Sequence, residues 1–175
     1  MPMRWIILTL LCAWATPGSA TTVRAISAAE MSRQASLIVV GVAGPGVSYW
    51  DGGRIKTRVA VQIEKVLAGD GQARSQVQVT TLGGAIGGLA QRVEGTAVLA
   101  AGERVALFLA RDPEGTLIPL AMAQGVFHFD RPHDSGEHVA RGAAGAHVLG
   151  TPPAEEPTTL TELEAIVVRE RHGRP

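Results

Sequence analysis

One cysteine, Cys12, occurs in 175 residues. A lone thiol excludes an intrachain disulfide framework and any CxxC metal knuckle. Sixteen basic residues balance sixteen acidic ones, and only two, Lys56 and Lys65, are lysines. Such a chain offers no electrostatic footprint for nucleic acid or an anionic membrane surface. Aromatic side chains make up 4%, so few large anchors exist. Catalytic signatures are missing as well: there is no GxSxG, SxxK or HExxH, and no activated thiol. What is abundant is glycine, at 21 residues, in a chain that is 46% hydrophobic.

The longest apolar run is Trp5–Ala15. A helix that spans a bilayer needs about 20 such residues, so this run has the length of a signal-peptide core. Arg4 precedes it. Pro17 breaks it, and Gly18, Ser19 and Ala20 supply small residues for cleavage after Ala20, with Ala15 as the less favoured site. Residues 1–20 are therefore expected to be a signal peptide, which directs a secreted or periplasmic product. Cys12 leaves with it, as do Trp5 and Trp14. The mature chain then has no cysteine, one tryptophan (Trp50) and a charge within one unit of neutral.

Periodicity predicts a mostly β domain over residues 21–150. Ser27 and Glu30 form a capping box, with Ile26 and Met31 at staple positions, for a short helix ending near Gln34 or Ala35. Ser36–Val42 reads as a buried strand, and Gly44–Gly53 as a loop. Arg54–Leu67 alternates with period two, Ile55, Thr57, Val59, Val61 and Ile63 on one face and Arg54, Lys56, Arg58, Gln62 and Glu64 on the other. Its phase then slips, which predicts a bulge near Glu64–Lys65. Gln76–Leu82, Arg104–Ala110, Thr116–Met122 and Gln124–Asp130 read as further strands, with Asp112–Gly115 as a turn and Pro119 as an interruption. His138–Ala140 and Ala146–Leu149 are expected to pair as a hairpin. Residues 151–158 read as a linker. Thr159 and Glu162 open a helix over 159–172, with Leu160, Leu163, Ile166 and Val167 on one face. The expected architecture is a small OB-like antiparallel β-barrel with short N- and C-terminal helices.

An ordered set of short motifs carries a resemblance. It comprises Ile38-Val39-Val40-Gly41-Val42; Val61 with Lys65-Val66-Leu67 and Gly69; Thr80 with Gly83-Gly84; Gly102-Glu103 with Val105, Leu107, Phe108 and Leu109; and Gln124-Gly125 with Phe127. From about Ser36 to Phe129 the chain resembles an uncharacterised family of small exported bacterial β-barrel proteins. Its first half is also similar to the OB-type barrel of netrin-like and metalloproteinase-inhibitor domains. That similarity implies a barrel and an inhibitor-like role. Those inhibitors chelate the target's zinc through an N-terminal cysteine, which the mature chain lacks.

Three groups of residues are candidates for function. Tyr49 and Trp50 form an aromatic pair in a polar loop, either a binding anchor or a cap on the barrel mouth. Gly83, Gly84, Gly87 and Gly88 form a glycine-rich loop with Gln91 and Arg92 beyond it. No lysine follows as a phosphate-binding loop requires, so the choice is between a tight turn and a recognition loop. His128, Asp130, His133 and His138, with Asp134 and Glu137, cluster within a short stretch and carry metal-ligating side chains, but their spacing matches no metalloenzyme motif. The bland reading of this cluster is solvated polar residues, with His128 on the wet face of a strand.

The expected function is that of an exported, non-catalytic binding module of the bacterial cell envelope, protease-associated or inhibitor-like, that needs no cofactor and meets another envelope or secreted protein. The alternative is a metal-binding protein or hydrolase that uses the His128–His138 cluster.

Overall fold

The structure, a computed structural model, describes residues 22–70, 75–129, 137–142, 147–149 and 156–172. The expected signal peptide lies outside these residues, as does most of the expected linker.

The fold is built on a long antiparallel ribbon, β2 (Leu37–Asp51) with β3 (Arg54–Gly69). The strand expected over Ser36–Val42 thus continues through the segment read as a loop. Register shifts between Ala43 and Gly46 absorb Gly44 and Pro45, and a proline is tolerated at such an irregularity because no ladder amide is needed there. The bulge expected at Glu64–Lys65 is present. Val40 pairs with Lys65 and Gly41 with Ile63, which leaves Glu64 as the extra residue, and a second shift skips Leu67.

The other strands attach to the two edges of this ribbon. β4 (Gln76–Leu82) pairs along β3. β7 (Arg104–Arg111) pairs with the first half of β2, and β9 (Val126–Phe129) with β7. β8 (Leu117–Pro119) is antiparallel to β7 and meets β4 in parallel, with Val79 opposite Leu117. β10 (Val139–Arg141) extends the far edge beside β9. β5 (Gly84–Ile86) and β6 (Leu89–Gln91) form a separate hairpin. β1 (Thr22–Arg24) runs parallel to β11 (His147–Leu149). Among the described residues the protein is therefore mostly β with two short helices, and the sheet is mixed rather than wholly antiparallel.

Two further expectations fail. The strand expected over Thr116–Met122 stops at Pro119, and a 3-10 turn over Met122–Gly125 follows, with Ala121 and Met122 at positive φ. The hairpin expected between His138–Ala140 and Ala146–Leu149 does not form. β10 pairs instead with β9, the strand just before it, and β11 with β1, near the start of the described residues. Local pattern carries no information on a pairing as distant as that of β1 with β11.

Alternation along the strands fills two cores. Val39, Val59, Val61, Val77, Val79, Leu107, Leu109 and Val126 pack on one side of the sheet. Ile38, Val40, Phe108 and Phe127 pack on the other, beneath helices α1 (Ala28–Gln34) and α2 (Leu160–His172). Phe108 and Phe127 lie with ring centroids 5.6 Å apart in a tilted arrangement. The staple residues Ile26 and Met31 are both buried there. Arg141 stands over Phe127, donates to Ile26 O and pairs with Glu156, so that carboxylate is a tether and not free linker charge. Among the described residues no helix is long and apolar enough to cross a membrane.

The helix caps are local in origin. Ser27 Oγ accepts from the Glu30 amide at 3.1 Å, while the Glu30 carboxylate turns to Arg24 and Gln34 instead of back to Ser27. Thr159 Oγ1 accepts from the Glu162 amide at 3.2 Å, and Glu162 in turn accepts from the amide and hydroxyl of Thr158. The Thr158 amide, with the hydroxyl beside it, holds the Glu162 carboxyl below its ordinary range. A lowered carboxyl pKa in the folded state stabilises the fold above the ordinary carboxylate range, and that contribution fades as pH falls. Glu162→Gln is accordingly expected to lower the thermal midpoint at neutral pH, with the gap to wild type closing towards about pH 3. Paired thermal melts across that range check it, and a gap that persists in acid would contradict it.

Candidate functional site

The β2–β3 ribbon turns at Gly52 and Gly53, whose φ values of +54° and +77° suit glycine. This places Tyr49 opposite Lys56, and Trp50 opposite Ile55. Ile55 is buried at 2% exposure, whereas Trp50 remains 54% exposed. Tyr49 is half-buried beneath the Arg58 guanidinium, 4.8 Å from the ring centroid. Lys56 pairs with Asp51 near the tip, and its hydrogen bond to that carboxylate holds the ammonium above its ordinary value.

The glycine-rich segment folds against this end of the ribbon. It is the β5–β6 hairpin, turned at Gly87 and Gly88, both at positive φ and with open space around them. Its base is bonded to the ribbon. The Gly83 amide donates to Ile55 O at 2.7 Å, Thr57 Oγ1 donates to Gly83 O at 2.7 Å, and the Ala85 amide donates to Ser48 Oγ at 3.3 Å. Gln91 Oε1 accepts from the Ile55 amide at 2.6 Å. A Cβ at Gly84 would fall on Ser48 Oγ and Thr57 Oγ1, and one at Gly83 would lie 2.6 Å from Gln91 O. Gly84 thus permits close approach of the hairpin to the ribbon, and Gly83 close approach of the hairpin's two strands to each other.

The candidates thus gather at one end of the sheet but with different tasks. Gly83, Gly84 and Gln91 fasten the hairpin, Gly87 and Gly88 turn it, and Trp50 and Arg92 face solvent. Arg92 pairs with Glu94 at 3.0 Å. A cavity of about 230 Å³ lies at the hairpin base, lined by Gly83, Gly84, Gln91, Arg92, Val93 and Val98 among others. Periodicity missed the apolar side chains that share this end. Val47, Leu89 and Val98 are 66%, 62% and 73% exposed. Leu89, directly after Gly87-Gly88, is the one whose position in a turn could have signalled exposure.

The histidine cluster is only partly described: Asp130 and His133 lie outside the described residues. His128 is half-buried, and its Nδ1 is 2.6 Å from Glu103 Oε1, while Glu103 Oε2 accepts from the Ala100 amide at 3.0 Å. This contact ties β9 to the turn before β7. His138 makes a main-chain bridge to Thr159. Among the described residues no three His, Cys, Asp or Glu side chains converge on a metal position.

Comparison with known proteins finds no family model that matches the chain and no curated protein that matches it significantly.

The hairpin's seat makes a sharp prediction. Gly84→Ala places a side chain at φ +136°, on the Ser48 and Thr57 hydroxyls, and should cost about 2 kcal/mol or more. Denaturant unfolding measures that cost. Gly87→Ala also carries a positive φ but meets nothing within 4 Å, so its loss should be smaller. Equal losses would contradict close approach as the reason for glycine at 84.

Proposed function

We propose that the chain is an exported, non-catalytic binding module of the cell envelope, an OB-like barrel that docks another protein through the apolar end of its β2–β3 ribbon. The observation that carries the proposal is the distribution of exposed apolar side chains. The described residues leave five large hydrophobic side chains exposed: Val47, Trp50, Leu89, Val98 and Val168. Four of these belong to the β2 tip, the β5–β6 hairpin and the segment that follows it. Trp50 shares its face of the ribbon with Ser48 and Thr57, which hold the hairpin that carries Leu89, whereas Val47 alternates to the opposite face. Exposed apolar side chains mark interaction sites, and tryptophan is a residue type that often anchors one. The exposed Trp50 is backed by a buried partner and a bonded hairpin, so it is presented on a stiff support.

Barrel closure is supported by the pairing circuit. Strand pairings run from β7 to β2, β3, β4 and β8 and return to β7, with one parallel contact closing an otherwise antiparallel ring. Five strands in a partly open ring are the composition of an OB barrel. Export rests on the N-terminal run Trp5–Ala15 and the small residues before the expected cut. The resemblance to metalloproteinase-inhibitor domains favours a protease as the partner. With no cysteine left to reach a zinc, such a complex would rest on the apolar surface alone.

Immobilised wild-type protein incubated with envelope extract from its source tests this reading. Wild type and Val168→Ser should retain the same discrete protein. Trp50→Ala and Leu89→Ser should each reduce retention about tenfold or more. Equal retention by all four, or none by wild type, contradicts it.

A further inference from the structure

A second surface, on the other side of β3, has a different chemistry. β4 is paired along its whole length with β3, but β8 meets it only at Val79. Among the described residues, no strand lies against the other edge of Gln76–Gln78. A depression of about 620 Å³ occupies this split, lined by Arg58, Gln76, Gln78, Thr80, Arg111 and Thr116 among others, with no carboxylate among its lining residues.

Three side chains of that lining, Arg58, Arg111 and Thr80, are unusual for this protein. Most described basic side chains sit against a carboxylate; Arg58 and Arg111 do not. Arg58 lies over the Tyr49 ring, and Arg111 donates to Gly115 O at 3.0 Å. A guanidinium held flat by a ring keeps its edge donors free for a planar bidentate acceptor. The nearest acid in the loop, Asp112, accepts from the Glu114 and Thr116 amides at 3.0 and 2.8 Å, so it is already engaged with the turn. The third is Thr80, 4% exposed, whose Oγ1 has no hydrogen-bond partner. Buried hydroxyls are nearly always bonded. Thr80 stands directly opposite Arg58 in the ladder, beside Val79, whose partner Leu117 is paired with Arg111. The two arginines and the orphan hydroxyl therefore lie along one line across β3, β4 and the β7–β8 turn.

We infer that the split between β4 and β8 is a docking site for an extended acidic peptide segment, whose carboxylates pair with Arg58 and Arg111 and whose main chain lies along the free edge of Gln76–Gln78. An added strand bonds to an open sheet edge through its backbone, and side-chain contacts then choose the sequence. The charge of the lining chooses glutamate- or aspartate-bearing segments, and Gln76, Gln78 and Thr116 supply neutral donors and acceptors between the two arginines. This inference does not depend on the apolar end of the ribbon, and either surface can fail without the other.

Fluorescence anisotropy with a labelled peptide of alternating glutamate and valine tests it on the full chain, with the glutamine counterpart, free glutamate and inorganic phosphate as competitors. The glutamate peptide should bind, and added salt should weaken it. Arg58→Gln and Arg111→Gln should each weaken it about tenfold or more, with thermal melts confirming that both variants fold. Arg54→Gln, on the same strand but outside the depression, should leave affinity unchanged. Thr80→Val should hold or raise the melting temperature, since it removes an unbonded hydroxyl, yet reduce affinity severalfold. No binding of the glutamate peptide, equal binding of the glutamine peptide, unchanged affinity in both depression arginine variants, or displacement by free glutamate or phosphate at the same concentration as peptide would each overturn the inference.

Discussion

The structure depends on how one ribbon bends. β2 and β3 span 15 and 16 residues, too long to remain flat and serve one core. Side chains alternate between faces with period two, so each extra residue in one strand moves everything beyond it to the opposite face. The extra residue at Glu64 lets Ile63 and Val66 pack against the same core although they are three positions apart. The shift at Leu67 then sends Leu67 and Ala68 towards the helix-covered core. At the other end, the irregularity at Gly44–Pro45 releases the ribbon from β7, which pairs only as far as Val42. The freed length carries Tyr49 and Trp50 away from the sheet's centre and gives the β5–β6 hairpin a surface to sit on.

The two cores divide the hydrophobic residues by shape. Aliphatic side chains, mostly valine, leucine and alanine, fill the side of the sheet away from the helices. The three phenylalanines all lie in or against the other core, under α1 and α2. A chain with few aromatics can thus complete both layers, because only one of them needs large rings. α1 and α2 also contact each other, through an Arg33–Glu170 pair at 2.6 Å and a bond from Arg171 to Ala35 O. The C-terminal helix is therefore anchored to the N-terminal one across the whole sequence.

What the sequence reveals follows from whether a signal is local. The strand at Arg54–Leu67 and its bulge were legible because one face is core and the other water, so a slip in phase is visible in the residues themselves. Both helix starts were legible for the same reason, a hydroxyl three residues before a carboxylate. The second half of β2 was not legible. Gly44-Pro45-Gly46 reads as a break, and the strand beyond it exists only because β3 lies alongside. The partner of β11, which is β1, was equally hidden. Of the site residues, Tyr49, Trp50 and the glycine hairpin were noticeable by type alone, but which of them bond inward required the fold. Arg58, Thr80 and Arg111 were invisible as a group. Each looked like an ordinary solvent-facing or turn-flanking residue, and only the pairing of β4 and β7 with β8 draws them together.

That pairing underlies both the proposed barrel and the depression beside it. Backbone amide exchange and cross-strand nuclear Overhauser effects on labelled protein test it directly. Main-chain contacts from Leu117 to both Val79 and Arg111 are expected in one molecule, with the Val59, Val61 and Leu107 amides exchanging slowest and those of β5–β6 fastest. Contacts from Leu117 to Arg111 alone, with Val79 open to rapid exchange on its free side, would contradict it.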